Sequence, residues 1–163
     1  MTMDWLSILT LIAALGCGLI AGVFFAFSSF VMKALGRIQP AAGIAAMQSI
    51  NIAVINPWFM AAFMGTALAC AVLAVVSLLT WGSPGAGYLL AGSLLYLVGT
   101  FGVTMAFNVP RNNALAAVNP TSPEGGQVWA GYLGSWTSWN TVRTVAALAA
   151  AASLTMGLVR RTV

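Results

Sequence analysis

WLSILTLIAALGCGLIAGVFFAFSSFVM, residues 5–32, carries no charged side chain. About 20 apolar residues suffice to cross the hydrocarbon core of a bilayer, so this stretch spans one with length left for tilt. It is also longer than the apolar core of a secretory signal, and only Asp4 precedes it where a signal carries basic residues. The same composition continues outward. No charge occurs between Arg37 and Arg111, and over the 163 residues 61% are hydrophobic and 5% charged. A soluble domain carries about 25% charged residues. Mean hydropathy is +0.97. So little polar surface cannot cover a water-soluble fold, and the chain reads as an all-α integral membrane protein.

Three more segments complete a single domain over 1–163: spans near 51–79, 86–107 and 138–159 join the first in a four-transmembrane-helix bundle. Segments near 41–50 and 113–135 are expected at the interface. Pro40 suits a helix start, and Asn56-Pro57 is expected to bend the second span, because proline donates no backbone hydrogen bond. Trp81-Gly82-Ser83-Pro84-Gly85 is a tight turn. Ser122-Pro123-Glu124 has the order N-cap, first-turn proline and first-turn acid, which predicts a short interfacial helix in the connection before helix 4.

Four spans put both termini on one side. Lys33, Arg37, Arg111 and Arg143 mark the other side, which the positive-inside rule assigns to the cytoplasm of a multi-pass cell-membrane protein; Arg160 and Arg161 count against that orientation. The net charge of +4 is spread over helix ends, so the partner is the lipid bilayer and no nucleic acid is implied. Gly18 and Gly22 form a GxxxG pair that would suit a homodimer, although glycine is frequent in membrane helices. Cys17 and Cys70 are read as small buried hydrophobes in preference to a disulfide or reactive pair. There is no histidine and there are two carboxylates, which excludes the common metal sites and most acid–base machinery.

The polar residues gather at one end. Ser28, Ser29 and Lys33 close the first span; Gln48, Asn51 and Asn56 begin the second; Asn108, Arg111, Asn112 and Asn113 close the third. Residues 129–143, WAGYLGSWTSWNTVR, place Trp129, Tyr132, Trp136, Trp139, Asn140 and Arg143 on one helical face. Trp129 is assigned to the headgroup level, where tryptophan is enriched. Arg143 is different. Residues 144–159 separate it from the terminal arginines, about 24 Å of helix against a hydrocarbon core of about 30 Å. It is therefore expected just below the interface, facing the bundle interior. No span holds a carboxylate, so its partner must be an amide, a carbonyl, a lipid phosphate or a ligand.

Four short motifs in register resemble the anthrone oxygenase-like family: Gly22-Val-Phe-Phe-Ala-Phe-Ser28, Met47-Gln48-Ser-Ile-Asn51, Asn108-Val-Pro110-Arg-Asn112, and Trp136-Thr-Ser-Trp139-Asn140-Thr-Val-Arg143. The resemblance implies a small four-helix membrane fold. It also implies, for members tied to polyketide pathways, oxidation of anthrones to anthraquinones by molecular oxygen without a metal site of the usual kind. Such chemistry needs an apolar aromatic slot and hydrogen-bond donors for a developing oxyanion. Trp136, Trp139, Tyr132 and Phe27, with Gln48, Asn112 and Ser28, would bind substrate. Asn51, Asn108, Asn140 and Arg143 would be the donors, acting as the catalytic groups. The base is not evident; Tyr132, Lys33 or water would serve. No cofactor is required by the residues, and a haem would need an unusual axial ligand. The alternative is a non-catalytic module that binds a lipid, a quinone or a haem-like ligand. A transporter is disfavoured by the lack of a buried carboxylate and of an inverted repeat.

Overall fold

Each helix begins where a capping side chain or a proline allows it. A computed structural model describes residues 4–162, and among these there are five helices and no strand. Helix α1 (Trp5–Leu35) starts at Asp4, whose side chain accepts from the Ser7 amide at 2.7 Å. Helix α2 (Pro40–Ala53) has its proline in the first turn. Helix α3 (Pro57–Leu79) is capped by Asn56, which accepts from the amides of Trp58 and Phe59 at 3.1 and 3.0 Å. Helix α4 is Ala86–Ala116. Helix α5 (Pro123–Thr162) is capped by Ser122, whose hydroxyl accepts from the Gly125 amide at 3.0 Å.

Helices α1, α3, α4 and α5 are long and apolar enough to cross a membrane. They form an antiparallel square in which α5 packs on α1 and α4, and α3 on the same two. Gly85 makes the turn into α4 at φ 82°, a conformation open to glycine. Gly16 lets α3 come close to α1: a side-chain carbon there would overlap the Thr66 hydroxyl. At the chain ends Asp4 pairs with Arg161 at 3.0 Å. The hydrogen bonds from Ser7, and then the neighbouring Arg161, hold the Asp4 carboxyl below the usual carboxylate range. Buried hydroxyls such as Thr10 and Ser77 donate to carbonyls one turn back, as a segment without access to water requires.

Three boundaries differ from expectation. The second span does not bend at Asn56-Pro57; the helix ends at Ala53 and restarts at Pro57, because Asn56 is in an extended conformation and caps a new helix. Gln48 and Asn51 therefore sit on α2, which lies across the end of α4 and the first half of α5. The third span does not stop at 107. A wide π-helical turn over Thr104–Asn108 lets the helix pass Pro110, and Arg111 donates back to the Phe107 carbonyl at 2.7 Å, so the helix runs on to Ala116. The segments near 113–135 and 138–159 are not separate helices from Pro123 onward. α5 is one helix of 40 residues, about 60 Å long and about twice the hydrocarbon thickness. No proline interrupts it, and its first half is sheathed by α2 and the end of α4.

The same sheath corrects Trp129. It is 3% exposed, with its ring against Gly43 of α2, where a side-chain carbon would come to within 2.8 Å of it. A side-chain carbon added at Gly18 or Gly22 would meet no atom within 4 Å, so both positions have open space beside them. Cys17 and Cys70 are free thiols buried in the core.

Candidate functional site

Arg143 is 4% exposed and sits one turn along α5 from Asn140, which is wholly buried. The Asn140 side-chain amide donates at 2.7 Å both to the Phe24 carbonyl and to the Ser28 hydroxyl of α1. Its oxygen accepts from Nη2 of Arg143. Nη1 of Arg143 donates to the Thr104 hydroxyl of α4 at 3.1 Å. The guanidinium lies 4.0 Å above the Phe24 ring centroid and 5.3 Å from that of Trp136, a cation–π arrangement. One helix thus holds a cation by contacts to two others. The π-helical turns Phe27–Val31 and Thr104–Asn108 lie at this level in α1 and α4, and such turns re-aim side chains and carbonyls at functional sites.

A second network hangs on Asn112. Its oxygen accepts from Nε1 of Trp136 at 2.7 Å and from the Tyr132 hydroxyl at 2.9 Å. Trp129, Tyr132 and Trp136 stack in series along α5, with centroids 5.6 and 5.9 Å apart. Asn108 donates to the Trp136 carbonyl at 3.2 Å.

These side chains surround a cavity of about 380 Å³. Phe24, Phe27, Phe59, Phe63, Phe101 and Trp136 make its aromatic wall, and Met47, Met60, Met64 and Met105 add flexible apolar surface. Asn51, Thr104, Asn112 and Arg143 are the polar groups in its lining. Nε of Arg143 is buried with no hydrogen-bond partner, while the buried amide of Asn51 makes no close hydrogen bond and faces the Tyr132 side chain. An unpaired buried donor is costly, and Arg143 and Asn51 line the same cavity.

Of the residues singled out from sequence, Arg143, Asn51, Asn112, Trp136 and Phe27 line the cavity. Asn140 and Ser28 lie behind Arg143 and hold it, and Tyr132 and Asn108 lie behind Trp136 and Asn112. Gln48 donates to the Leu115 and Val118 carbonyls at 2.8 and 3.0 Å, so it ties α2 to the end of α4. Trp139 stacks on Phe107 at 3.6 Å, outside the lining. Thr104, Phe101, Met60, Met64 and Met105 also line the cavity and lie outside the set that the sequence singles out. Phe101, Thr104, Asn108 and Asn112 recur at steps of three and four, a shared helical face that spacing alone reveals. Among the described residues no group of three His, Cys, Asp or Glu side chains forms a metal site.

The fold and site together define a multi-pass helical membrane protein with an aromatic cavity lined by one buried cation. The chain belongs to the anthrone oxygenase family, whose pattern matches residues 58–153, more than half of its 163 residues. That region holds Thr104, Asn112, Trp136, Asn140 and Arg143, while Phe24, Phe27 and Asn51 lie before it. No curated protein and no solved structure matches the chain.

Proposed function

We propose that this protein is a membrane-embedded oxygenase that oxidises a flat polycyclic aromatic substrate of the anthrone type with molecular oxygen. The observation that carries this is the placing of Arg143, whose Nε has no partner, and of Asn51 in the lining of a cavity to which six aromatic rings contribute. A tricyclic ring system suits such walls, and its carbonyl or phenolic oxygen would accept from Arg143 or Asn51. As the ring methylene loses a proton, negative charge develops on that oxygen, and fixed donors in a low dielectric stabilise it. The resulting electron-rich anion reduces dioxygen. One oxygen atom becomes the new ring carbonyl, and the other leaves as water with the two methylene hydrogens, so dioxygen takes all the electrons the carbon gives up. Trp136 forms one face of the slot, and Asn112 orients it through the indole N–H. We place this end of the bundle at the cytoplasmic face, on the positive charges Lys33, Arg37 and Arg111.

The test is oxygen uptake with 1,8-dihydroxyanthrone in proteoliposomes. Arg143→Met and Asn51→Ala are each expected to slow uptake about a hundredfold, the usual cost of an oxyanion donor. Uptake that stays at the wild-type rate in both variants removes the site. The cavity lining includes no carboxylate or imidazole to take the proton, which favours a second reading as a binding module. Saturable binding of the anthrone without oxygen uptake would establish it.

A further inference from the structure

Arg143, Trp136, α2 and the gap between α3 and α4 bound the cavity on different sides. Arg143 and Trp136 are 4% and 5% exposed. From α2, Met47 and Ile50 line the space. Gln48 fastens that helix to α4 through the carbonyls of Leu115 and Val118. One side lies between α3 and α4, which supply Met60, Met64, Phe101 and Met105 to the lining. These helices pack closely next to the turn that joins them, over Ala86–Leu94. They touch less along Leu95–Gly102 and make almost no contact at Thr104–Asn108. Tyr96 donates to the Phe63 carbonyl at 3.1 Å, the hydrogen bond that ties the two helices before they part.

The rim of this wedge is apolar and exposed. Met64 of α3 is 45% exposed and Met105 of α4 is 53% exposed, and both line the cavity. Met64 is seven residues along from Pro57, about 10 Å deeper. Trp58, at the start of that helix, is exposed as a headgroup-level anchor would be. The rim therefore lies at the level of the acyl chains. Arg111, the single charged residue of α4, turns back to the Phe107 carbonyl and does not guard it. Methionine is unbranched and flexible, so such a rim parts without breaking a hydrogen bond.

We propose that the cavity opens sideways into the hydrocarbon between α3 and α4, and that its ligand is a lipid-soluble aromatic molecule that arrives through the bilayer and not from water. This takes the cavity as the ligand site, as in the preceding section, but does not depend on the oxygen chemistry. The experiment uses a thiol as a reporter. Thr104→Cys sets a thiol in the cavity lining, and the native Cys17 and Cys70, both fully buried, give no background. Protein in phosphatidylcholine vesicles is treated with N-phenylmaleimide, which partitions into hydrocarbon, or with a sulfonated maleimide, which stays in water. Lateral access predicts labelling by the first and protection from the second. It also predicts that adding Met105→Trp or Met64→Trp at the rim slows labelling by N-phenylmaleimide about tenfold, a change in access rate alone. Equal labelling by the sulfonated reagent, failure of N-phenylmaleimide to label, or an unchanged rate in both tryptophan variants would each overturn the proposal. Oxygen uptake is not part of this readout, so its loss would count against the oxygenase reading only.

Discussion

Replacing Asn140 by alanine removes a strut from the bundle, because this residue makes more contacts between elements than its size implies. Its amide nitrogen holds the Phe24 carbonyl and the Ser28 hydroxyl, and its oxygen holds Nη2 of Arg143. Interhelical hydrogen bonds in membranes average about 0.6 kcal/mol each, and one to a charged group is worth about 1.5–3 kcal/mol. Asn140→Ala leaves a buried carbonyl and a buried guanidinium short of partners at once, so the expected loss is about 3–4 kcal/mol of bundle stability. The assay is reversible unfolding in mixed micelles, followed by far-ultraviolet circular dichroism. A loss below about 1 kcal/mol would refute the reasoning, since it would equal deletion of one ordinary contact. The network reading adds a second demand. Asn140→Ala and Arg143→Met share one interaction, so the double variant should lose markedly less than the two single losses combined. Additive losses would mean that Asn140 and Arg143 act apart. In oxygen uptake, Asn140→Ala should slow turnover by misplacing Arg143 even where the protein remains folded.

Other consequences follow from the remaining contacts. The lowered Asp4 carboxyl stabilises the fold at pH values above the usual carboxylate range, and that contribution is lost as pH falls through its folded-state value. Melting curves of Asp4→Asn should therefore lie below wild type at neutral pH and converge with it in acid; a constant offset would exclude the pair. Gly16→Val drives a side chain into Thr66 and should destabilise the bundle by about 1–3 kcal/mol in the same micelle assay, the usual cost of overpacking; an unchanged midpoint would show that α1 and α3 are not in close contact. Gly18 and Gly22 have open space beside them, so a homodimer formed there should give less cross-linked product in vesicles for Gly22→Ile than for wild type, and equal yields would remove that interface.

Much of this molecule is legible residue by residue. Hydropathy places the four spans, since only a helix satisfies its own backbone in lipid. Ser122 and the first-turn proline Pro40 mark helix starts by local chemistry alone, whereas Asn56-Pro57 reads as a bend and caps a new helix. The uneven distribution of Asn, Gln and Arg shows which end of the bundle is polar, and the missing carboxylates show that Arg143 lacks an acidic partner. Burial is a different matter. In a membrane, lipid and protein core are equally apolar, so hydropathy does not separate an inward phenylalanine from an outward one. Phe24 and Phe27 line the cavity while Phe25 and Phe30 face out, from one unbroken apolar stretch. Trp129 has the sequence signature of an interfacial anchor, and only the arrival of α2 buries it. Tertiary structure likewise divides the polar set, sending Asn51 and Arg143 into the cavity lining and Asn140 behind it as support. A cavity is space left where helices diverge, here α3 from α4, and that divergence is set by packing between segments distant in the chain.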